Sequence, residues 1–279
     1  MTPFGTRLRD ATAARGPLCV GIDPHPALLA SWGLPDDVSG LERFTMTTVA
    51  ALGGGVAVLK PQSAFFERHG SRGVAVLEAA VAAGRDLGAL VLLDAKRGDI
   101  GSTMEAYADA YLDPASPLAV DAVTLSPFLG LGSLDPAFDR AAAHGGGVFV
   151  LALTSNPEGP SVQHARGEDG STVAGSVLAG LRDRNAARSG DQATGSYGAV
   201  VGATIGSTTE DLAIGGPLLV PGIGAQGGTV ESVRAVFGAA VGDVLPSISR
   251  EVLVAGPDPA ALAAAAARAA DAFGALVRG

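Results

Sequence analysis

The stretch Leu90-Val91-Leu92-Leu93-Asp94-Ala95-Lys96 runs apolar for four residues, then sets two charges on either side of an alanine. Arg97-Gly98-Asp99-Ile100-Gly101 follows it. A short continuous apolar run that ends in a glycine-bearing turn reads as a strand buried on both faces, the kind found in parallel sheets. Seven further runs of this kind recur along the chain. With the first they cover 18–23, 56–60, 90–96, 122–127, 148–155, 197–204, 218–222 and 244–248, and 252–255 could extend the last. Helix-like segments at 41–52, 73–87, 104–112, 135–143, 172–187, 210–214, 229–237 and 258–276 alternate with them. Buried strands alternating with helices imply a parallel sheet covered by helices. Eight such units in 279 residues fit the α/β class as a closed (β/α)8 TIM barrel better than as an open doubly wound sheet. No composition shift marks a linker, so residues 1–279 are expected to form one barrel domain.

Composition narrows the function. The formal charge is −9, so no broad nucleic-acid surface is expected, since that needs a basic face. The single cysteine, Cys19, leaves no internal disulfide framework and fits a reducing compartment. Inside Leu18-Cys19-Val20 it reads as a core residue. The arginine-bearing N-terminus lacks the apolar segment of a secretory signal. No run approaches a membrane span, because Arg268 and Asp271 interrupt the alanine-rich tail. A cytoplasmic protein with no membrane partner is expected.

Lysine usage points to chemistry. Of 19 basic residues only Lys60 and Lys96 are lysine, and each ends an apolar strand run. Lysines are mostly exposed, and a lysine ammonium is a compact charge that can give up a proton where arginine cannot. Period-2 alternation puts Asp94 and Lys96 on the same side of their strand. Asp99 lies just beyond, after Gly98, which is expected to free the backbone to turn. Lys60, ending the neighbouring strand, would stand next to them. Two lysines and two aspartates in one pocket hold one another charged. On residue types alone this reads either as a reactive site or as a structural ion-pair rim.

Gly222-Ile223-Gly224-Ala225-Gln226-Gly227-Gly228 matches G-x-G-x-x-G between a strand and a helix. As the seventh βα unit of eight it suits a barrel phosphate site better than a dinucleotide site, with a plain structural turn as the other reading. Arg250, after strand 8, could add a bidentate charge. Two longer insertions, 24–40 and 156–170, follow strands 1 and 5 on the face where barrel active sites lie. The second reads as a lid or as a surface loop. His25, His69, His144 and His164 show no paired metal-ligand spacing, and no metal site is expected.

Asp94-x-Lys96-x-x-Asp99-Ile100 with Thr103, Lys60 on the preceding strand, and 221–228 late in the chain resemble the orotidine 5′-phosphate decarboxylase family. Residues 60–67 and 154–159 look like its longer bacterial branch. The resemblance implies a cofactor-free homodimeric barrel that converts orotidine 5′-phosphate to UMP and CO2 in pyrimidine biosynthesis. It implies a charge array of Lys60, Asp94 and Lys96, with Lys96 as proton donor, completed by Asp99 from a partner subunit. Asp23 would bind ribose, as would Thr103 from across the dimer. Ser155, or Thr154 in its place, would read the pyrimidine edge. Gln226 and Arg250 would grip the phosphate, and Pro221 and Gly227 would complete the substrate contacts. The same barrel group includes 3-keto-gulonate phosphate decarboxylases and hexulose phosphate synthases, which share D-x-K-x-x-D but carry an acidic residue at the end of strand 2. Lys60 argues against these. A non-catalytic phosphate-binding barrel is a further reading, disfavoured because mere binding of an anion has no use for two aspartates.

Overall fold

In a computed structural model of the chain, which describes residues 1–188 and 194–278, eight parallel strands close into a barrel in sequence order. Residues 189–193 and 279 of the expected 1–279 domain lie outside the described ones. The order is α1 (Phe4–Arg15), β1 (Cys19–Ile22), α2 (Pro26–Ser31), α3 (Val38–Leu52), β2 (Val58–Pro61), α4 (Ala64–Glu67), α5 (Gly70–Asp86), β3 (Leu90–Arg97), α6 (Gly101–Leu112) and β4 (Ala122–Leu125). There follow α7 (Asp135–His144), β5 (Gly147–Leu153), α8 (Gly159–Gln163), α9 (Val173–Arg188), β6 (Tyr197–Val201), β7 (Leu218–Val220), α10 (Val230–Phe237), β8 (Val244–Ile248), α11 (Arg250–Leu253) and α12 (Pro259–Arg278). The expected (β/α)8 barrel is what forms, and β1 closes it by pairing with both β2 and β8.

Alternation along each strand sorts the core into two layers. Cys19, Val58, Leu92, Ala122, Phe149 and Leu245 pack inside the barrel. Their neighbours Val20, Leu59, Leu93, Val123, Val148 and Val244 face outward under the helices. Carried two or four residues further along the chain, the inward positions turn polar: Cys19 leads to Asp23, Val58 to Lys60, Leu92 to Asp94 and Lys96, Ala122 to Thr124, and Leu245 to Ser247 and Ser249. The same periodicity that builds the apolar plug therefore lines the C-terminal mouth with polar groups.

The N-terminal end of the barrel is stoppered by α1, which the sequence reading did not anticipate because Phe4 and Leu8 are its only large buried side chains. Phe4 is fully buried in the inner layer and meets Phe149 edge-on, ring centroids 5.9 Å apart. A Cβ on Gly147 would meet the Phe4 ring at 2.4 Å, so glycine is required there. Arg7 pairs with the buried Asp121 and donates to the Gly145 carbonyl at 2.9 Å, and Asp121 also accepts the Val91 N–H at 2.8 Å.

Three expectations fail. No helix forms over 210–214. Thr208 Oγ1 accepts the Glu210 N–H, Asp211 accepts the Ala213 N–H, and the Glu210 carboxylate is taken by Thr172. Such local side-chain bonds compete with a helical ladder. The segment 252–255 does not extend β8 but begins inside α11, where one helical turn buries both Val252 and Leu253. Finally, Pro259–Val277 is long and apolar enough to cross a membrane by length and composition, since Arg268 and Asp271 do not lower its mean hydropathy enough. One face of it, with Leu262, Ala266 and Phe273, is buried against the barrel.

Phe4→Ala removes the barrel stopper and is expected to cost about 3–5 kcal/mol of unfolding free energy, as for other buried Phe truncations. Urea denaturation measures it. A loss below about 1 kcal/mol would mean that Phe4 is not part of the stabilising core.

Candidate active site

Polar residues at the strand ends enclose a cavity of about 440 Å³ at the C-terminal mouth of the barrel. That volume suits a small organic ligand. Asp23, Lys60, Asp94, Lys96, Ser155, Pro221, Gln226 and Arg250 all line it, so the structure brings together eight of the eleven residues singled out above.

At its centre, Asp94 lies between the two lysines. Lys60 Nζ donates to Asp94 Oδ2 at 3.2 Å and Lys96 Nζ to Asp94 Oδ1 at 2.6 Å. The Lys60 side chain is 6% exposed, that of Asp94 11% and that of Lys96 45%. Burial works against the charged form of Lys60, but Asp94 and then Asp23 outweigh it and raise its pKa above the usual lysine range. Burial also works against ionised Asp94. Lys60 and then Lys96, with hydrogen bonds from Lys96 and Thr124, hold the carboxyl well below the usual carboxylate range. Both groups stay charged across the physiological range. Cys19, deeper in the barrel, is buried and its thiol is pushed up to about 12 by that burial, consistent with a core residue rather than a nucleophile.

The turn after β3 differs from expectation. Gly98 has no positive φ; its glycine is needed because a Cβ would meet the Ser126 carbonyl oxygen at 2.4 Å. Positive φ falls instead on Gly101, with φ 53°, and on Lys96 near the end of β3, with φ 49°, the only non-glycine with positive φ among the described residues.

Asp99, Thr103 and Gly227 do not line the cavity. Asp99 accepts the Ile100 N–H at 2.8 Å, and Thr103 is exposed on the first turn of α6. They stand beside Ile100, 62% exposed, while Phe128, 79% exposed, follows β4. Gly227 lines a neighbouring groove that α12 also borders. Its φ of 90° lets the 222–228 loop fold back, with the Gly228 N–H donating to the Gly222 carbonyl at 2.9 Å. The Thr154 hydroxyl is engaged by Asn156 and Gln163 at 2.6 Å each.

The sequence reading missed His25, Gln62, Phe65, Thr124, Ser247 and Ser249, all in the cavity wall. The inward alternation of β4 and β8 was the signal available for the last three. Asp23 Oδ1 and Ser249 Oγ are buried with no hydrogen-bond partner. Buried polar atoms in native proteins are normally satisfied, so two such atoms in one cavity wall suit a polar ligand. Among the described residues no group of three or more His, Cys, Asp and Glu is arranged to hold a metal ion.

Because folding lowers the Asp94 pKa below its unfolded value of about 3.9, its ionisation contributes stability at higher pH that is lost as pH falls. Asp94→Asn leaves the Lys60 charge buried and unpaired, which is expected to cost about 3–5 kcal/mol near neutral pH. Denaturation at a series of pH values should show the gap to wild type narrowing below about pH 4. A gap that stays constant down to about pH 3 contradicts this linkage.

Comparison with known proteins finds relatives over nearly the whole chain. The model of the orotidine 5′-phosphate decarboxylase / HUMPS family matches residues 16–266. The orotidine 5′-phosphate decarboxylase of Salinispora arenicola is 66% identical over 269 residues, spanning 96% of each chain. That of Streptomyces coelicolor is 61% identical over 269 residues, again 96% of each. A crystal structure from Streptomyces avermitilis, assigned as an orotidine 5′-phosphate decarboxylase, superposes with a TM-score of 0.97 at 61% identity, over 100% of this chain and 97% of that one.

Proposed function

The chain belongs to the orotidine 5′-phosphate decarboxylase / HUMPS family and is an enzyme of the decarboxylase type, and we propose that it converts orotidine 5′-phosphate to UMP and CO2, the decarboxylation of pyrimidine biosynthesis. The observation that carries this reading is the Lys60–Asp94–Lys96 array at the cavity floor, with ammonium-to-carboxylate distances of 3.2 and 2.6 Å.

Loss of CO2 breaks the bond between C6 and the carboxylate carbon and leaves the electron pair on C6. No adjacent group of the pyrimidine absorbs that charge. A fixed ammonium beside C6 stabilises it with no reorganisation at the moment of reaction. The same ammonium, Lys96, then gives its proton to C6 and is reprotonated from solvent. Asp94 lies against the departing carboxylate, and Lys60 keeps Asp94 ionised. Asp23 binds ribose, which gives its unpartnered oxygen a hydroxyl to accept from. Ser155 reads the pyrimidine edge, because the Thr154 hydroxyl is already engaged. Gln226 and Arg250 hold the phosphate, with Pro221 in the wall and Gly227 shaping the loop. Binding energy from this remote group is realised at the reacting carbon. The reading needs neither metal nor organic cofactor, since one ammonium supplies both charge and proton.

Asp99 and Thr103 act in a partner's cavity. Their position outside their own cavity, on the segment that carries the exposed Ile100, supports a homodimer with shared sites. One barrel domain over 1–279 and a cytoplasmic location complete the proposal.

Incubation with orotidine 5′-phosphate should lower the substrate's absorbance equally with and without chelator, and Lys96→Ala should abolish turnover while still binding UMP. Retention of more than about a tenth of the activity by Lys96→Ala rules it out as proton donor. Activity only on a sugar phosphate, lost with chelator, favours the related aldolase and decarboxylase reading. Binding without turnover favours a nucleotide sensor.

The shared site has its own test. Lys96→Ala and Asp99→Ala proteins, each inactive, are dissociated and re-associated together. Random pairing makes about half the dimers mixed, each with one intact site, so recovery should approach about a quarter of wild-type activity. No recovery after confirmed subunit exchange contradicts the shared site.

A further inference from the structure

Thr124 lies on the inward face of β4, two residues beyond the apolar Ala122, and is 1% exposed. Along the β3–β4 pair, Leu93 is opposite Val123 but the next registered pair is Arg97 with Leu125. Asp94, Ala95 and Lys96 are therefore set against Thr124 alone, an irregularity that bends a strand and re-aims a side chain. The Thr124 hydroxyl occupies the break. It accepts the Lys96 backbone N–H at 3.0 Å and donates its one proton to Asp94 Oδ1 at 2.9 Å. Asp94 Oδ1 also takes the Lys96 ammonium at 2.6 Å. The bonds close a ring in which one hydroxyl ties the backbone of Lys96 to the carboxylate that its own side chain contacts.

Lys96 needs such a tie. Its φ of 49° is unfavourable for a residue with a Cβ, and strained backbone at a functional site persists only where its surroundings over-determine it. We propose that Thr124 is a positioning residue for Lys96: its hydroxyl holds the lysine backbone in the left-handed conformation that aims the ammonium at the reacting carbon. It does so without touching the reacting atoms itself. This inference rests on the decarboxylase reading for its kinetic consequence, but not for its structural one.

The test compares Thr124→Val, which keeps the shape and loses the hydroxyl, with Thr124→Ser, which keeps the hydroxyl. In Thr124→Val, kcat on orotidine 5′-phosphate should fall about a hundredfold, as for other small misplacements of a reacting group. KM and UMP affinity should change by less than about threefold, because ground-state binding does not use Lys96. Thr124→Ser should recover kcat to within about threefold of wild type. The chain has only two lysines, so labelling with [15N]lysine gives two backbone amide signals. The Lys96 signal should move upfield and exchange faster in Thr124→Val, with the Lys60 signal unchanged. If Thr124→Val does not fold, Thr124→Cys, of similar size and a weaker donor, carries the same comparison.

The proposal is overturned if a folded hydroxyl-free variant keeps kcat within about threefold of wild type, or loses UMP affinity as much as kcat. It is equally overturned if serine does not rescue, or if the Lys96 amide is unmoved. A wild-type protein inactive on orotidine 5′-phosphate would instead defeat the decarboxylase reading, and the amide signals would still decide whether Thr124 positions Lys96.

Discussion

Lys60 is an ammonium buried in the interior of a barrel, and it can remain charged there because Asp94 lies 3.2 Å away. Burying an unpaired charge costs several kcal/mol, and pairing offsets that cost only where geometry is good and the remaining lone pairs are satisfied. Asp94 meets both conditions. One oxygen takes Lys60, and the other takes Lys96 and the Thr124 hydroxyl. Lys60, Lys96 and Thr124 at the mouth of the barrel are arranged around this one carboxylate. The break in the β3–β4 register sets it against Thr124, the left-handed turn at Lys96 brings the second ammonium to it, and an apolar plug lies beneath it.

A site already holding alternating charges at fixed spacing suits a reaction that creates charge at one carbon. Water would have to reorient around a developing carbanion, whereas dipoles and charges held by the fold do not. The array is held on two adjacent strands, β2 and β3, with Thr124 of β4 hydrogen-bonded to it. Gln226 and Arg250, the residues proposed to hold the phosphate, instead follow β7 and β8 across the cavity. In the proposed reading the two halves of the site divide the work by position: one grips the remote group, the other meets the reacting carbon.

Much of this was legible in the sequence, for reasons that particular residues make clear. Period-2 alternation alone aims Asp94 and Lys96 the same way, and the continuous apolar runs give the parallel barrel. The same alternation carried along 122–125 would have found Thr124, but a threonine in a strand carries no chemical flag of its own. The left-handed Lys96 was not legible, because nothing in residue type singles out a lysine for that conformation, and the turn was credited to Gly98. The irregular 210–214 segment was missed because side-chain capping by Thr208 and Asp211 competes with a helical pattern. Helix α1 was missed because two large apolar residues make too thin a stripe to read. Asp99 and Thr103 mark another limit: one chain's sequence reveals a motif but not whose cavity the motif serves.

The central claim is that the protein stabilises charge at C6 and exchanges a proton there through Lys96. By microscopic reversibility, a group that protonates C6 on the way to UMP must also remove that proton from UMP. The direct measurement is deuterium exchange into the C6 position of UMP in heavy water, followed by proton NMR with the C5 proton as an internal standard. The account predicts that the wild-type protein accelerates C6 exchange over the rate in buffer and that Lys96→Ala does not. Exchange that persists undiminished in a folded, UMP-binding Lys96→Ala protein would contradict it.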